Sequence, residues 1–481
     1  MSAVSTTSPT TPRRSVYAHP PATLILCLLL SACAVSPPPS GDQVRADALG
    51  TTQLPPAWTA DRNASSELVQ DNWLQSFNDP TLDALVHEAL LNNPDLRVAA
   101  TRVEQSRVNV TLARSALKPS LGIFGTGGAK TGGGSDTSSA LQGIMLAASW
   151  ELDLWGRLRY SRNAAQEDYT SAQSDLEFAR QSIAAAVAKA WFTATELALR
   201  ADIANAMADS SRQLHSLAQD RERVGAGSEA DSATALAGVR QMEDVARQVE
   251  LARDQALRAL ELLVGRYPAA EIKARTELAQ LPPPVAVGIP LQMLERRPDV
   301  IAAERRVAAA FNRVGEAKAA RLPQLTLNAS FGAFASEILQ LKEDYENPSG
   351  GLGARLLAPI YQGGALAAKV EIRTLQQKEA VASYARVALQ AIGDVETALA
   401  VNQTLAVRAT LLTDALNEQT RALDFTETRF RIGRSDRRAV EQQRLNVFNA
   451  RIALIELRSQ ALAGRVNLHL ALGGSLNPPS T

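Results

Sequence analysis

Two very long stretches of the chain carry apolar residues at helical spacing and contain no residue that would end a helix. Residues 157–224 have neither Pro nor Gly over about 68 positions, which predicts a helix of roughly 100 Å. Residues 365–432 have one Gly and no Pro, and Leu389, Ile392 and Val395 recur there every three or four positions. Helices of this length need neighbours along their whole length, as in a coiled coil or a helical tube.

Four shorter stretches alternate apolar residues with small or polar ones at a period of two, which predicts β-strands. Strands of about ten residues with one apolar side are typical of transmembrane β-barrels. A half-buried strand in a soluble sandwich would alternate in the same way, so periodicity alone does not decide between them. We expect the strands at about 120–127, 143–154, 324–334 and 350–358, with Ile144, Leu146, Ala148 and Trp150 on one apolar face and Leu325, Leu327, Ala329 and Phe331 on another.

The number of predicted strands bears on the assembly. The sequence supplies four, whereas a barrel made from a single chain needs at least about eight. A four-stranded sheet with open edges is untenable in lipid, because its edge N–H and C=O groups would have no partners. If these strands cross a membrane, several chains must contribute to one barrel.

Strands and long helices occur in two copies of one pattern. Asn93-Pro94-Asp95 matches Arg297-Pro298-Asp299, and a second Pro follows the first by 25 residues in both copies. Matching positions lie 204 to about 208 residues apart, so each half repeats the same order of elements. We therefore expect repeat 1 over 73–270, a Pro-rich linker over 271–291 and repeat 2 over 292–481, with long helices at 157–224 and 229–264 in the first and at 364–432 and 436–472 in the second.

Pro and Gly mark the boundaries between these elements, because Pro ends a helix and Gly permits the left-handed backbone of tight turns. The predicted strand–helix junctions are Pro119, Gly156, Pro323, Gly363 and Gly364. The turns that join the long helices in pairs are predicted at Gly225, Gly227 and Ser228 in repeat 1 and at Gly433, Arg434, Ser435 and Asp436 in repeat 2.

The N-terminus has the features of an export signal. Arg13 and Arg14 precede the apolar core TLILCLLL, which is too short to span a membrane. LSAC follows, and it resembles a bacterial lipobox in which Cys33 is lipidated. We therefore predict a lipoprotein signal peptide over 1–32 and a lipid-anchored tether over 33–72; an ordinary signal peptide with a chance Cys is the alternative.

Composition argues against several other classes. The chain has 50 basic and 50 acidic side chains, so no net charge attracts nucleic acid. The four histidines are scattered, and neither a Cys/His metal spacing nor a nucleophile motif is found, so we predict neither an enzyme nor a cofactor. The stretch GTGGAKTGGGSDT at 125–137 resembles a phosphate-binding loop, but Ala129 and Phe124 occupy the positions that require Gly. We interpret it as a hairpin loop between two strands.

Four motifs together resemble a known family. They are WLQSFNDPTLDALVHEALLNNPDLRVAATRVEQSR at 73–107, SWELDLWGRLR at 149–159, MLERRPDVIAAERRV at 293–307 and PIYQGGAL at 359–366. They are similar to the TolC-like outer-membrane efflux ducts, in the lipidated OprM/NodT-type branch. The resemblance covers nearly everything after residue 73, and LERRPDV after a Pro-rich linker is its most specific element.

The resemblance implies a mainly α protein with transmembrane β-strands that assembles as a homotrimer. Three chains would form a twelve-stranded β-barrel in outer-membrane lipid and a twelve-helix α-barrel that extends into the periplasm. The implied function is the exit duct of a tripartite efflux system in a Gram-negative bacterium. The implied partners are a periplasmic adaptor and an inner-membrane pump of the RND or a related type. Neither the transported substrate nor the particular pump and adaptor follows from the sequence.

The resemblance also places the paired turns at the periplasmic end of the duct. Relatives commonly carry acidic residues after the second turn, around a closed aperture; here Ala439 and Gln442 occupy those positions beside Arg438. Phe430, Arg438, Ala439 and Gln442 are therefore the candidate aperture. The alternative is that these residues are solvated tip surface.

A different class of function remains open from the residues alone. A periplasmic lipoprotein scaffold, with long helices and no pore, would also have a lipidated Cys. The four alternating strands favour the duct, because a scaffold has no use for them.

Overall fold

The computed structural model describes residues 35–476, except for 51, 53, 62–64, 66, 68, 128–141 and 336–348. These residues fall into two compact units. The sheet unit contains Ala113–Arg162, Asn312–Arg373 and the chain up to Pro38, and the helical unit contains Pro39–Leu112, Asn163–Phe311 and the chain from Thr374 onward.

The elements follow one another in the order that the two repeats predict. The strands are β1 (Ser120–Thr126), β2 (Gln142–Leu152), β3 (Gln324–Ala335) and β4 (Ser349–Leu357). The helices are α1 (Gly41–Leu49), α2 (Pro80–Asn92), α3 (Pro94–Ser115), α4 (Arg157–Arg223), α5 (Glu229–Val264), α6 (Pro290–Arg296), α7 (Pro298–Ala319), α8 (Ala365–Arg431) and α9 (Arg437–Ala471). A short 3₁₀ helix spans Trp73–Phe77.

The long helices α4 and α8 each contain 67 residues, which corresponds to about 100 Å of helix. The mainly α class with two tandem repeats is thereby confirmed. Among the helices in the described ranges, none carries an apolar stretch that is long enough to cross a membrane.

The four strands form one antiparallel sheet in the order β1-β2-β3-β4. Leu146 lies opposite Ile123 on one side and Phe331 on the other, so apolar side chains of neighbouring strands share one face. This face is uncovered, because Leu121 is 70% exposed and Leu352 is 91% exposed. Each outer strand, β1 and β4, pairs with only one neighbour among the described strands.

The opposite face of the sheet carries mostly small and polar side chains, with apolar exceptions such as Phe124 and Met145. Ser149 donates from Oγ to Oδ1 of Asn328 at 3.1 Å, and the two residues lie opposite each other in the register of β2 and β3. Gly332 lies on this face where the strands approach most closely, since a Cβ added there would lie 2.5 Å from the carbonyl oxygen of Ile144. The two faces therefore differ in the way that the alternation predicts.

An aromatic cluster forms part of the core of the helical unit. The rings of Trp73 and Phe77 meet edge to face with centroids 6.1 Å apart, and Phe77 lies 5.3 Å from Phe192. Trp191 is buried and donates from Nε1 to Oδ2 of Asp79 at 2.9 Å, while the same carboxylate caps α2 at Thr81 and Leu82. This cluster links the entry to repeat 1 with the middle of α4.

His469 lies in the same region on α9 and is only 4% exposed. Its ring stacks on Trp73 with centroids 5.6 Å apart, and neither ring nitrogen has a hydrogen-bond partner among the described residues. Burial, with the positive charge of Arg465 nearby, lowers the pKa of His469 to about 4. The histidine is therefore neutral in the folded protein near pH 7.

Part of the segment 33–72, which we predict as a lipid-anchored tether, packs against other parts of the chain. Trp58 is 2% exposed, and its Nε1 donates to the carbonyl oxygens of Val287 at 3.3 Å and Gly288 at 3.2 Å. The Glu396 carboxylate of α8 accepts from the backbone N–H groups of Thr59 at 2.9 Å and Ala60 at 2.7 Å. From Trp58 to Ala60 the chain is thus fixed to the linker and to α8, within the predicted tether.

The close approach at Gly332 predicts a position-specific cost in the sheet. We expect Gly332→Ala to lower the free energy of unfolding by about 1–3 kcal/mol, since backbone atoms of β2 occupy the space that the methyl group needs. Gly353→Ala is the matched control, because no atom lies within 4 Å of its added Cβ. Urea unfolding of both variants measures the difference, and equal stabilities would contradict the observed register.

The buried histidine predicts a pH-dependent stability. Above the ordinary pKa of 6.5 His469 is neutral whether folded or unfolded. Between pH 6.5 and about 4 only the unfolded state binds the proton, so the free energy of unfolding falls as the pH falls, by up to about 1.4 kcal/mol per pH unit. We expect His469→Phe to reduce this slope and His87→Phe, at an exposed position, to keep it. Unfolding at stepped pH values decides, and identical slopes in both variants would contradict the assignment.

Candidate functional site at the paired helix turns

The first turn joins α4 to α5 and depends on a left-handed glycine. Gly225 has a φ of 70°, and its N–H donates to the carbonyl oxygen of Glu222 at 3.0 Å. Ala226 donates its N–H to the carbonyl oxygen of Arg221 at 2.8 Å, which closes the end of α4 as a Schellman motif. Gly at position 225 is required, because a side chain at this φ would strain the backbone.

The second turn joins α8 to α9 with the same closure. Gly433 has a φ of 70° and donates to the carbonyl oxygen of Phe430 at 3.0 Å. Arg434 donates its N–H to the carbonyl oxygen of Arg429 at 2.8 Å. The two turns are therefore equivalent in backbone geometry, although their side chains differ.

The helices that leave the turns are capped differently. Ser228 and Asp231 form a capping box, in which the Asp231 carboxylate accepts from Ser228 N at 3.0 Å and from Oγ at 2.8 Å. The backbone N–H of Ser228 is the main cause that holds the pKa of Asp231 below its ordinary value. In the second turn Asp436 accepts from Ala439 N at 2.9 Å, and no box forms because Ala439 has no acceptor.

The candidate aperture residues are only partly brought together. Arg438 and Gln442 line one cavity of about 560 Å³ with Arg221 and Asp231, so it contains residues of both repeats. The Arg438 side chain is 68% exposed, and its Nε lies 4.0 Å from the Asp436 carboxylate. Ala439 and Ser435 are partly buried. Phe430 is 41% exposed and does not line this cavity.

A buried carboxylate beside Gln442 organises this region. Glu441 is fully buried, and both of its oxygens lie 3.1 Å from the Arg444 guanidinium. Arg444 also contacts Glu427 of α8 at 3.1 Å, and Arg437 donates to Oε1 of Gln213 on α4 at 3.2 Å while its Nε lies 3.7 Å from Glu441. The network ties three helices together, and sequence reasoning missed it. The spacing of Arg437 and Arg444, four and three residues from Glu441, was the available signal.

In each repeat, the residue just before α3 or α7 contacts the end of the last long helix of the same repeat. Asn93 caps α3 and donates from Nδ2 to the carbonyl oxygen of Leu263 at 2.8 Å. Arg297 precedes α7 and donates to the carbonyl oxygen of Ala471 at 3.3 Å, 208 residues further along than Leu263. A left-handed glycine ends the second long helix in both repeats, Gly265 in the first and Gly473 in the second.

Arg297 carries a charge that Asn93 lacks, so its buried contact with the end of α9 needs carboxylates nearby. Only 5% of its side chain is exposed, and it pairs with Asp299 at 2.7 Å and with Asp394 of α8 at 3.1 Å. Burial lowers the pKa of Arg297, but the two carboxylates outweigh burial and raise it overall. The RPD sequence in LERRPDV is thus a buried ion-pair junction.

The predicted strand–helix junctions lie where each strand or long helix begins. Pro119 directly precedes β1, and Pro323 directly precedes β3 and accepts from Nε1 of Trp155 at 2.7 Å. Gly156 has a φ of 78° just before α4, while Gly363 and Gly364 have φ values of 60° and 85° just before α8. Left-handed backbone at these three positions explains why they are glycines.

Two predicted features cannot be described in the same way. Cys33 lies outside the described residues, as does most of the stretch 125–137. Among the residues that are described, no group of three or more His, Cys, Asp or Glu side chains could hold a metal ion.

Solved structures share this architecture. The outer-membrane channel OprN superposes with a TM-score of 0.78 at 23% identity, over 89% of this chain and 98% of that one. The open-state outer membrane channel MtrE of Neisseria gonorrhoeae gives a TM-score of 0.76 at 24% identity, over 93% of this chain and 99% of that one. At these identities the likeness establishes the fold, which is that of the outer-membrane channels.

Sequence relatives identify the family. The outer membrane efflux protein family model matches residues 85–266 and 289–474. The pyoverdine export outer membrane protein OpmQ of Pseudomonas aeruginosa is 30% identical over 93% of this chain and 95% of its own length. The toluene efflux pump outer membrane protein TtgC of Pseudomonas putida is 28% identical over 94% of both. The chain therefore belongs to the outer membrane efflux protein family, and its predicted function as an efflux channel is confirmed.

The buried ion-pair junction predicts a large and local effect on stability. We expect Arg297→Ala to lower the free energy of unfolding by about 2–3 kcal/mol, since the charged hydrogen bonds of the buried guanidinium are lost while Asp299 and Asp394 keep partial access to water. Arg306→Ala, on the helix α7 that Arg297 precedes, breaks a half-exposed pair with Asp175 and is expected to cost less than about 1 kcal/mol. Urea unfolding of both variants provides the comparison; similar small losses would mean that the junction contributes little.

Proposed function

We propose that this chain is the outer-membrane exit duct of a tripartite efflux system and that it works as a homotrimer. In this role it passes small molecules from a periplasmic adaptor and an inner-membrane RND-type pump to the cell exterior. The observation that carries the proposal is the uncovered apolar face of the sheet together with its two open edges. Membership of the efflux family supports the same conclusion.

The trimer follows from the needs of the sheet. An open edge in lipid leaves backbone groups unpaired, so β1 of one copy must pair with β4 of the next until the sheet closes. Three copies supply twelve strands, whereas two copies would supply eight, and the interior of an eight-stranded barrel is filled by side chains and leaves no passage for solutes. Three copies also supply twelve long helices, enough to surround a periplasmic tunnel.

Lipid attachment at Cys33 fits the position of the residues that follow it. The Ser36 N–H donates to the Tyr160 hydroxyl at 3.0 Å, and Val35 lies against Gly156, so closely that a Cβ there would lie 2.7 Å from its Cγ2. Cys33 is two residues before Val35, a span of at most about 7 Å. The described chain that follows Cys33 therefore begins at the sheet unit, and this supports an anchor in the same membrane as the sheet.

The solutes that the duct passes are proposed as chemically diverse. Its relatives are named for the export of pyoverdine and for the efflux of antibiotics and of toluene. Since similar chains are named for such different solutes, we infer that the duct selects weakly and that the pump does most of the choosing. The Gram-negative outer membrane is its place of action, with the turns between the long helices in the periplasm.

A scaffold without a pore is the alternative function. The sheet argues against it, because a scaffold would gain nothing from an uncovered apolar face such as the one that contains Ile123 and Leu352. We therefore expect the purified full-length protein to form discrete ion-conducting channels in a planar lipid bilayer. Protein that inserts without conductance, or that stays monomeric in detergent by light scattering, would favour the scaffold.

The candidate aperture can be tested in the same bilayers. We expect Arg438→Ala and Gln442→Ala to raise the open fraction about fivefold, which corresponds to the loss of about 1 kcal/mol of closing energy. Arg247→Ala is the control, because that arginine is 83% exposed and lies on α5 away from the turn. An open fraction that is unchanged in both aperture variants would make these residues ordinary tip surface.

A further inference from the structure

The cavity beside the turns has the dimensions of a ligand site. Its volume is about 560 Å³, and its lining comes from three helices: α4 and α5 of repeat 1 and α9 of repeat 2. On α4 the lining runs from Met207 to Arg221, which is about 21 Å along the helix axis. The cavity is therefore elongated and parallel to the helices.

Charge is confined to one end of this cavity. Arg221, Asp231 and Arg438 are its charged lining residues, and all three lie next to the turns. Further along, the walls from α4 and α5 are largely apolar, with Met207 and Met242 at the far end, whereas α9 contributes the uncharged polar side chains of Gln442, Asn446 and Asn449. Such a gradient matches a molecule with one charged head and an apolar body.

The charged end has more cationic than anionic capacity. Asp231 is already engaged in the capping box with Ser228. Arg221 donates from Nη2 to the carbonyl oxygen of Ala226 at 3.0 Å and forms no ion pair within 4.0 Å among the described residues, while Arg438 comes no closer than 4.0 Å to a carboxylate. In addition to the hydrogen bonds from Ser228, the positive charges of both arginines help to lower the pKa of Asp231, so one carboxylate faces two guanidinium groups. Two guanidinium groups thus retain donors that a carboxylate or sulfate could accept.

A glycine in the wall keeps the cavity open. Gly238 lies inside α5, where Gly costs about 1 kcal/mol relative to Ala, yet a Cβ added to it would meet no atom within 4 Å. It lines the cavity near its middle. A large side chain at this position would fill the space without changing any charge.

We propose that this cavity binds an elongated amphipathic organic anion, with its acidic head at Arg221 and Arg438 and its apolar body along Met207 and Met242. A molecule in this position contacts helices of both repeats. It would hold α9 against α4 and α5, and so favour the arrangement of the turns seen here over any arrangement that separates the helices.

Dodecanoate is the probe, and the protein is the full-length chain in lipid nanodiscs. Isothermal titration calorimetry, with the heat from empty nanodiscs subtracted, is expected to show saturable binding. Dodecyldimethylamine oxide has a dodecyl tail and no net charge at pH 8, and we expect it to bind about tenfold more weakly, since it offers one acceptor oxygen and no net negative charge to two guanidinium groups.

Three variants separate the cavity from other apolar surfaces of the protein. Gly238→Leu should weaken dodecanoate binding at least about tenfold by filling the space, and the double variant Arg221→Gln/Arg438→Gln should weaken it about tenfold by removing both guanidinium charges while leaving the space open. Gly393→Leu is the matched control, because Gly393 is also an exposed helix glycine with no atom within 4 Å of an added Cβ, and it lines a different cavity. The Gly393→Leu variant should bind dodecanoate with the same affinity as the original protein.

Several results would overturn the proposal. They are no saturable binding of dodecanoate, equal binding in Gly238→Leu and Gly393→Leu, or equal affinity for the uncharged amphiphile. The titration does not depend on conductance, so a protein that binds no anion and still conducts would refute this site and leave the duct intact.

Discussion

An antiparallel sheet of four strands with one apolar face and two open edges is the feature on which the assembly depends. The open edges of β1 and β4 offer a row of backbone donors and acceptors, and the face that includes Leu121 and Leu352 offers apolar area. Water can hydrogen-bond the open edges but does not favour the apolar face, whereas lipid favours the apolar face but cannot hydrogen-bond the edges. Closure with further copies in a membrane satisfies both, so the sheet by itself calls for an oligomer in lipid.

Duplication explains how one chain supplies so many equivalent elements. Gly225 and Gly433 close their turns with the same pair of hydrogen bonds, and Asn93 and Arg297 reach equivalent carbonyl oxygens. The two repeats therefore share the same backbone geometry at these positions, although the side chains differ. Where the side chain is an amide, no further partner is needed, whereas Arg297 requires two carboxylates because it is buried. The second repeat consequently contains a charged junction where the first has a neutral one.

What the sequence predicts well is what is encoded over short distances. The period of two in β2 and the uninterrupted helix of α4 are visible in neighbouring residues, so the strands, the long helices and the repeat followed from the pattern alone. Trp58 was not predictable, because the carbonyl oxygens that it contacts lie 229 and 230 residues away. The network around Glu441 was not predicted for the same reason, because its contacts reach α4 and α8, which are distant in sequence. Its neighbour Gln442 was predicted as an aperture residue only through the resemblance to a family.

The two turns differ most in charge, and this difference bears on how they meet. Residues 217–237 carry four acidic and two basic side chains, a net charge of −2, while the equivalent residues 425–445 carry three acidic and six basic side chains, a net charge of +3. Contacts between the two repeats already use this asymmetry, since Arg438 helps to lower the pKa of Asp231. In a closed ring of three chains the two kinds of turn would alternate, so every turn would face neighbours of opposite sign. Attraction between unlike turns would then favour closure of such an end, because carboxylates of the first turn offset part of the positive charge of the second.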